Sequence, residues 1–489
     1  MPFNSYPYFI FLAAAVLGFR LLERNALTAR RVFLLLASYA FYAWWRADFL
    51  LLLAGSTLVN FALGREIEQR RRRFADRRAL LIGGLVFNLG LIAAFKYSTL
   101  FFSTANELLG IGLAVPHWFL PLAISFFTFE QISYLVDADA GKTANYSLLD
   151  YALFVAYFPH LIAGPIVRHG DLIPQFRQMR GENDDLATGI TLFTIGLAKK
   201  SLIADNLAPF ADAIFGAAAR GQALGVTDGW LGTLFFAFQI YFDFSAYSDM
   251  ALGSSVMLGI RLPVNFHSPY KAASIIEFWR RWHISLSAFL RDYLYVPLGG
   301  NRHGRMRRYR NLLITMLLGG LWHGANWTFM LWGGLHGLYL SINHAFRRAM
   351  KGRAPAPGWR TPLHAASVAL TFAATSLAWI VFRAPDLASA RNVAGGLIGL
   401  GNSHVVSFSP LAAVTLVLLF VIVWFMPNSM EMMWRHRPAL PSPYPDQPVE
   451  PAKRLSWAPT PLNAAAYGLV CILAVLALSN LKPFIYFQF

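Results

Sequence analysis

Apolar segments recur along this chain near residues 6–22, 32–45, 48–63, 79–95, 118–136, 149–164, 186–204, 228–246, 311–332, 361–382, 409–426 and 462–480. Repetition on that scale places the chain in a bilayer, where backbone polar groups must be satisfied within the protein and helices serve as spans. Charged residues make up only 14% of the sequence, against about 25% in soluble domains. Several segments fall short of the roughly 20 residues a straight span needs, so they are expected as half-helices or re-entrant elements. The fold class expected is an all-α polytopic membrane protein, one integral domain over 1–489. Within it, 1–80 forms peripheral N-terminal helices, 80–345 the core, and 346–489 C-terminal helices interrupted by a proline-rich linker at 427–460.

The net charge of +17 at first suggests a polyanionic partner. Its distribution excludes nucleic acid as the reading, because the basic residues sit in short segments between apolar ones. Arg65 to Arg78 alone carries seven arginines, the positive-inside pattern of a cytoplasmic loop. Arg20, Arg24, Arg30 and Arg31 mark an earlier cytoplasmic loop, and Arg347, Arg348, Lys351 and Arg353 a later one. Trp44 and Trp45 then turn at the opposite interface, which puts the N-terminus outside the cytoplasm. The stretch Tyr6 to Leu22 lacks a basic leader and a small-residue cleavage site, so it is expected as a retained first helix. Between about 97 and 310 the parity of crossings is not assigned.

One ionisable group stands out inside these segments. Thr315 to Trp332 is apolar apart from His323, which is flanked by Gly319, Gly320, Gly324, Trp322 and Trp327. A lone histidine on an apolar face is more often core packing. At membrane depth, however, ionisable residues are costly and face a cavity or bundle interior, and flanking glycines admit a close neighbour. Burial keeps such an imidazole neutral and able to accept a proton. Forty residues earlier His283 lies in a similar tryptophan-rich stretch, Glu277 to Ser287. Two histidines at one cavity suit acyl transfer, one taking the proton of an attacking hydroxyl while another donor holds the carbonyl or the leaving group. A single structural hydrogen bond is the competing account of His283.

Other candidates surround this pair. Asp243 and Asp249, in the aromatic run Gln239 to Asp249, need partners and could orient a histidine, pair with a cation or cap a helix. Segment 274–296 has helical spacing of Ile275, Phe278, Trp279, Trp282, Leu286, Phe289 and Leu290, which predicts an amphipathic helix at the cytoplasmic interface. Arg280, Arg281 and the run Arg302, Arg305, Arg307, Arg308 and Arg310 suit anionic lipid or an entrance for a phosphate-bearing donor. Tyr157 to Arg168, with two prolines, is expected as a structural bend. Cys471 is the sole cysteine, and no H-E-x-x-H, P-loop or G-x-S-x-G occurs, so neither a metal site nor a nucleotide fold nor a nucleophile elbow is supported.

These stretches, together with Pro121 to Phe129, Leu318 to Gly337 and the closing Pro483 to Phe489, resemble the membrane-bound O-acyltransferase (MBOAT) family. The likeness runs from about residue 80 to the end and is strongest to a bacterial branch that acetylates exported polysaccharides such as alginate. It implies about eleven membrane helices, with re-entrant and interfacial ones, around a central tunnel. It also implies that His323 matches the family's catalytic histidine, and that His283 falls where the family has a second polar residue. In one departure, Ala138-Asp139-Ala140-Gly141 stands where many relatives have a basic residue near position 140.

On this resemblance, His323 is the catalytic base for transfer of an acetyl group from acetyl-CoA. Trp279, Trp282, Trp322, Asn326, Trp327, Asp243 and Asp249 are expected along the tunnel, and Arg280, Arg281, Arg302 and Arg305 at the donor entrance. The expected setting is the bacterial inner membrane, with separate periplasmic SGNH-type proteins as partners and a polysaccharide as acceptor. No permanently bound cofactor or metal is expected. Alternatives are the same chemistry on cellulose, peptidoglycan or lipid, D-alanyl transfer to teichoic acid, and, from another class, a transporter or flippase. The last would show matching broken helices in two halves, which the sequence lacks.

Overall fold

The computed structural model describes all residues except 24, 25, 117, 180, 353–355, 407, 408, 481, 483 and 486–489, and the side chains of 479 and 480. Arg24 and Arg353 of the expected cytoplasmic loops, and Pro483 and Tyr486 to Phe489 of the closing motif, lie outside the described residues.

Among the described residues the chain is helical, with two isolated β-bridges, Leu224 with Ser403 and Pro263 with Leu440. Four helices are long and apolar enough to cross a bilayer: Asp48–Arg72, Arg78–Leu109, Asn183–Ala219 and Pro357–Arg383. The pair Pro410–Phe425 and Ser429–His436, bent by 50°, reaches the same length and apolarity only when taken together, as a broken span or a re-entrant element. Tyr6–Leu21 and Pro461–Leu476 are shorter apolar helices. The remaining apolar segments are broken or partly buried, for identifiable reasons. The expected span 149–164 stops as helix Leu148–Ala156 and resumes as the single turn Phe158–Leu161, because Pro159 has no backbone donor for a continuing helix.

At the centre lies Val226–Met257, a 32-residue helix buried along almost its whole length. It packs against Asn183–Ala198 and against the π-helical turn Lys199–Ala204 that follows. That turn presents two lysines to the central helix. Lys199 Nζ donates to Asp249 at 2.7 Å, and Lys200 Nζ donates to both Asp243 and Asp205 at 2.7 Å. Asp243 also accepts from the backbone N–H of Ile485. Tyr247, on the same helix, stacks with Phe3 and with Phe484, each at a centroid distance of 4.5 Å.

Two further features place the histidines. Helix Arg305–His323 and helix Trp327–Ala349 form a hairpin closed by Gly324 to Asn326. Gly320 and Gly333 meet at its waist, where a Cβ on either would lie 2.2 Å from a backbone oxygen, of Phe329 and Met316 respectively. Small residues of this kind let helices approach closely in membranes. The Asn326 side chain caps the second helix by accepting from Thr328 N–H and ties the turn to Pro385 O at 2.7 Å.

Segment 274–296 differs from the continuous interfacial helix that its periodicity predicts. It consists of Ile275–Arg281, Ile284–Leu290 and the π-helical turn Arg291–Tyr295. The break falls at His283, whose φ of 43° is left-handed, a conformation that costs a non-glycine residue energy and is held only by its surroundings. Phe278, Trp282, His283 and Leu286 are all buried, so this element is an inner part of the protein. The apolar spacing predicts one face at the cytoplasmic interface, whereas the segment is buried on several sides.

Candidate active site

The two histidines come together. His323, the last residue of its helix, and His283, at the break just described, have ring centroids 6.5 Å apart. Both are buried, and aromatic rings enclose them. Trp332 and Phe382 meet His323 edge to face at 5.1 and 5.4 Å, Phe244 meets His283 edge to face at 4.7 Å, and Trp322 lies near both. Such walls exclude water from the space between the imidazoles.

One cavity reaches His323, and a second lies at Ser285, two residues from His283. The larger, of about 440 Å³, is lined by Met1, Trp45, Lys96, Pro121 to Phe126, Trp322 and His323 among others, on the face that carries residue 1. The smaller, of about 290 Å³, is lined by Arg168, Asp171, Ser285 and Ala288 together with Leu440, Pro441 and Pro443 of the linker. This second cavity belongs to the face of the arginine loop. Arg168 pairs with Asp292, Tyr293 donates to Asp137, and Arg77 pairs with Asp139 on the same helix end. Ser285 connects this cavity to His283 through Asn265, whose Oδ1 accepts from Ser285 Oγ at 2.9 Å and from His283 Nδ1 at 3.1 Å.

Lys96 holds the other histidine from behind. The helix Arg78–Ile92 passes into a π-helical turn, Ala93–Tyr97, a feature found often at functional sites. From it Lys96 Nζ donates to Trp322 O at 2.5 Å and to His323 O at 3.1 Å, and Tyr97 Oη donates to Leu321 O at 2.8 Å. Three carbonyls at the end of the histidine helix are thereby capped. Among the described residues no carboxylate pairs with Lys96.

The other sequence candidates fall in several places. Trp322 lines the larger cavity. Trp279 and Trp282 are buried in the aromatic core: Trp279 Nε1 donates to His336 Nδ1 at 3.2 Å, and Trp282 stacks with Phe278. Trp327 is half exposed, and Asn326 is the helix cap already described. None of these four lines either cavity, nor do Asp243 and Asp249, which are occupied by Lys200 and Lys199. Arg280 pairs with Asp446 of the linker and Arg281 with Glu277. Arg302 and Arg305 are exposed.

Sequence reading missed Lys96 and Asn265. Lys96 follows an apolar stretch directly and so reads as an interfacial anchor. Asn265 has no local signal, because its role depends on a contact 18 residues away. The bend at Tyr157 to Arg168 also holds an unforeseen pair, with His160 Nδ1 3.1 Å from Glu130 Oε1, both buried.

Sequence comparisons give the class to which this helical membrane protein belongs. The sequence pattern of the MBOAT, membrane-bound O-acyltransferase family, matches residues 96–373. The chain belongs to this family and is an acyltransferase. It is 42% identical over 406 residues to a protein of Pseudomonas aeruginosa described as "Probable alginate O-acetylase AlgI", covering 81% of this chain and 76% of that one. It is 41% identical to a "Peptidoglycan O-acetyltransferase" of Helicobacter pylori, over 82% of this chain and 80% of that one. A "Teichoic acid D-alanyltransferase" of Streptococcus thermophilus is 27% identical over 53% of this chain and 68% of its own length.

Proposed function

We propose that this protein is an O-acetyltransferase that carries an acetyl group from acetyl-CoA in the cytoplasm toward an exported polysaccharide such as alginate, with His323 as the base. The observation that carries this reading is the buried pair His283 and His323, with His323 lining one cavity and His283 joined through Asn265 to Ser285 at a second. An acceptor hydroxyl entering beside His323 gives up its proton to the imidazole, and its oxygen attacks the thioester carbonyl. The C–S bond then breaks, an ester forms, and the proton passes to the leaving thiolate. The tightly packed aromatic surround protects the thioester from hydrolysis. The arginine-rich face is the cytoplasmic side of the inner membrane by the positive-inside rule, and the N-terminal face is periplasmic. Acceptors on that face would be reached with separate SGNH-type proteins.

The names of the relatives keep a second reading in view, acyl transfer to peptidoglycan or D-alanyl transfer to teichoic acid. One experiment addresses both. Acetyl ester content is measured in the exported polysaccharide of cells carrying wild type or His323→Ala, with membrane levels of each checked. Loss of esters at normal protein level is the expected result. Esters retained in the variant remove His323 from the chemistry, and esters found instead on wall polymer reassign the acceptor.

A further inference from the structure

We infer that Asn265 fixes the tautomer of His283, so that this histidine meets the reaction with an acceptor nitrogen, Nε2, and cannot serve there as the donor that holds the thioester carbonyl. The inference rests on acyl transfer at this site and begins from two donors whose direction is unambiguous. The backbone N–H of Ser285 points to the Asn265 side-chain oxygen at 3.3 Å, so that end of the amide is the carbonyl. The backbone N–H of Ile166 points to Ser285 Oγ at 3.0 Å, so the hydroxyl must spend its own proton elsewhere, and it donates to the same Asn265 Oδ1 at 2.9 Å. An amide oxygen has no proton to give. His283 Nδ1, 3.1 Å from that oxygen, is therefore the N–H donor, and in a neutral imidazole Nε2 then carries the lone pair.

The rest of the local structure holds this arrangement in place. Asn265 Nδ2 donates to Ser248 Oγ on the central helix at 3.3 Å, and the Asn265 backbone carbonyl accepts from Ile284 N–H at 3.0 Å. The side chain and main chain of one residue thus grip both flanks of His283, at the position where its backbone is left-handed. Asn265 and His283 are both buried, so water does not compete for these bonds. Asn265 is a positioning residue. It gives the His283 ring the same acceptor character that the proposed mechanism requires of His323.

Two measurements test this. Nitrogen NMR of protein labelled on its histidine rings, with His283 assigned by loss of its signals in His283→Gln, should show a proton on Nδ1 and a bare Nε2. That readout is independent of activity, so it stands or falls apart from the proposed reaction. In kinetics, Asn265→Leu should lower kcat about 100-fold with the donor KM little changed, and Asn265→Asp should restore most of it, because a carboxylate still accepts from Nδ1–H. A proton found on Nε2 overturns the inference. So does an Asn265→Leu variant of normal kcat, or an Asn265→Asp variant as slow as the leucine one while folded and monodisperse in detergent.

Discussion

The side-chain nitrogen of Lys96 lies 3.1 Å from the carbonyl oxygen of His323, so the residue expected to do the chemistry is gripped through its backbone by a donor from another helix. The same nitrogen spans to Trp322 O, and Lys96 lines the larger cavity. Replacing Lys96 by Met removes both bonds from the helix end. We expect kcat to fall by about 10- to 100-fold, as small displacements of a reacting group do, with Lys96→Arg retaining more activity than Lys96→Met. Steady-state acyl transfer in detergent or proteoliposomes measures this, and equal kcat in all three proteins would remove Lys96 from any positioning role.

Lys200 predicts an effect on stability. Its ammonium is shared by Asp243 and Asp205, and Asp243 in turn holds Ile485 N–H. Lys200→Met strands buried carboxylates, which costs about 3–5 kcal/mol when one partner of a buried pair is removed. Thermal unfolding in detergent should show a clear loss for Lys200→Met and partial recovery for Lys200→Met with Asp243→Leu. Equal stability of the single variant and wild type would contradict this account.

The arginines of the opposite face predict a different signature. Arg280 is committed to Asp446, and Arg302 and Arg305 are exposed, so all three can act on an anionic donor only at long range. Changing all three to Ala should raise the donor KM by about tenfold at low salt, leave kcat unaltered, and flatten the dependence of KM on ionic strength. A drop in kcat at saturating donor would instead place one of them at the reacting atoms.

Much of this was legible in the sequence, for physical reasons that also mark where legibility stopped. The helical class followed from the apolar segments and the low charge, and His323 stood out because an isolated imidazole in such a segment needs a reason. The carboxylates Asp243 and Asp249 were visible for the same cause, but their partners Lys199 and Lys200 sit one helix earlier on a π-helical turn. No spacing rule announces that turn. Segment 274–296 shows the reverse failure. Its 3.6-residue periodicity was real, yet the left-handed backbone at His283 divides it, and burial on several sides cannot be told from one apolar face by periodicity alone. Asn265 was invisible because an asparagine in a loop has many uses, and only the fold reveals which atoms surround it.

Tyr247 carries an implication for how the protein is made. Its ring stacks with Phe3 and with Phe484, which leave the ribosome about 480 residues apart. At about 5–20 residues per second, the interval between those two events is roughly half a minute or more. The translocon must therefore release early helices into the bilayer while the core around Tyr247 still lacks one of its walls. That core is complete only once Phe484 has emerged to stack on Tyr247.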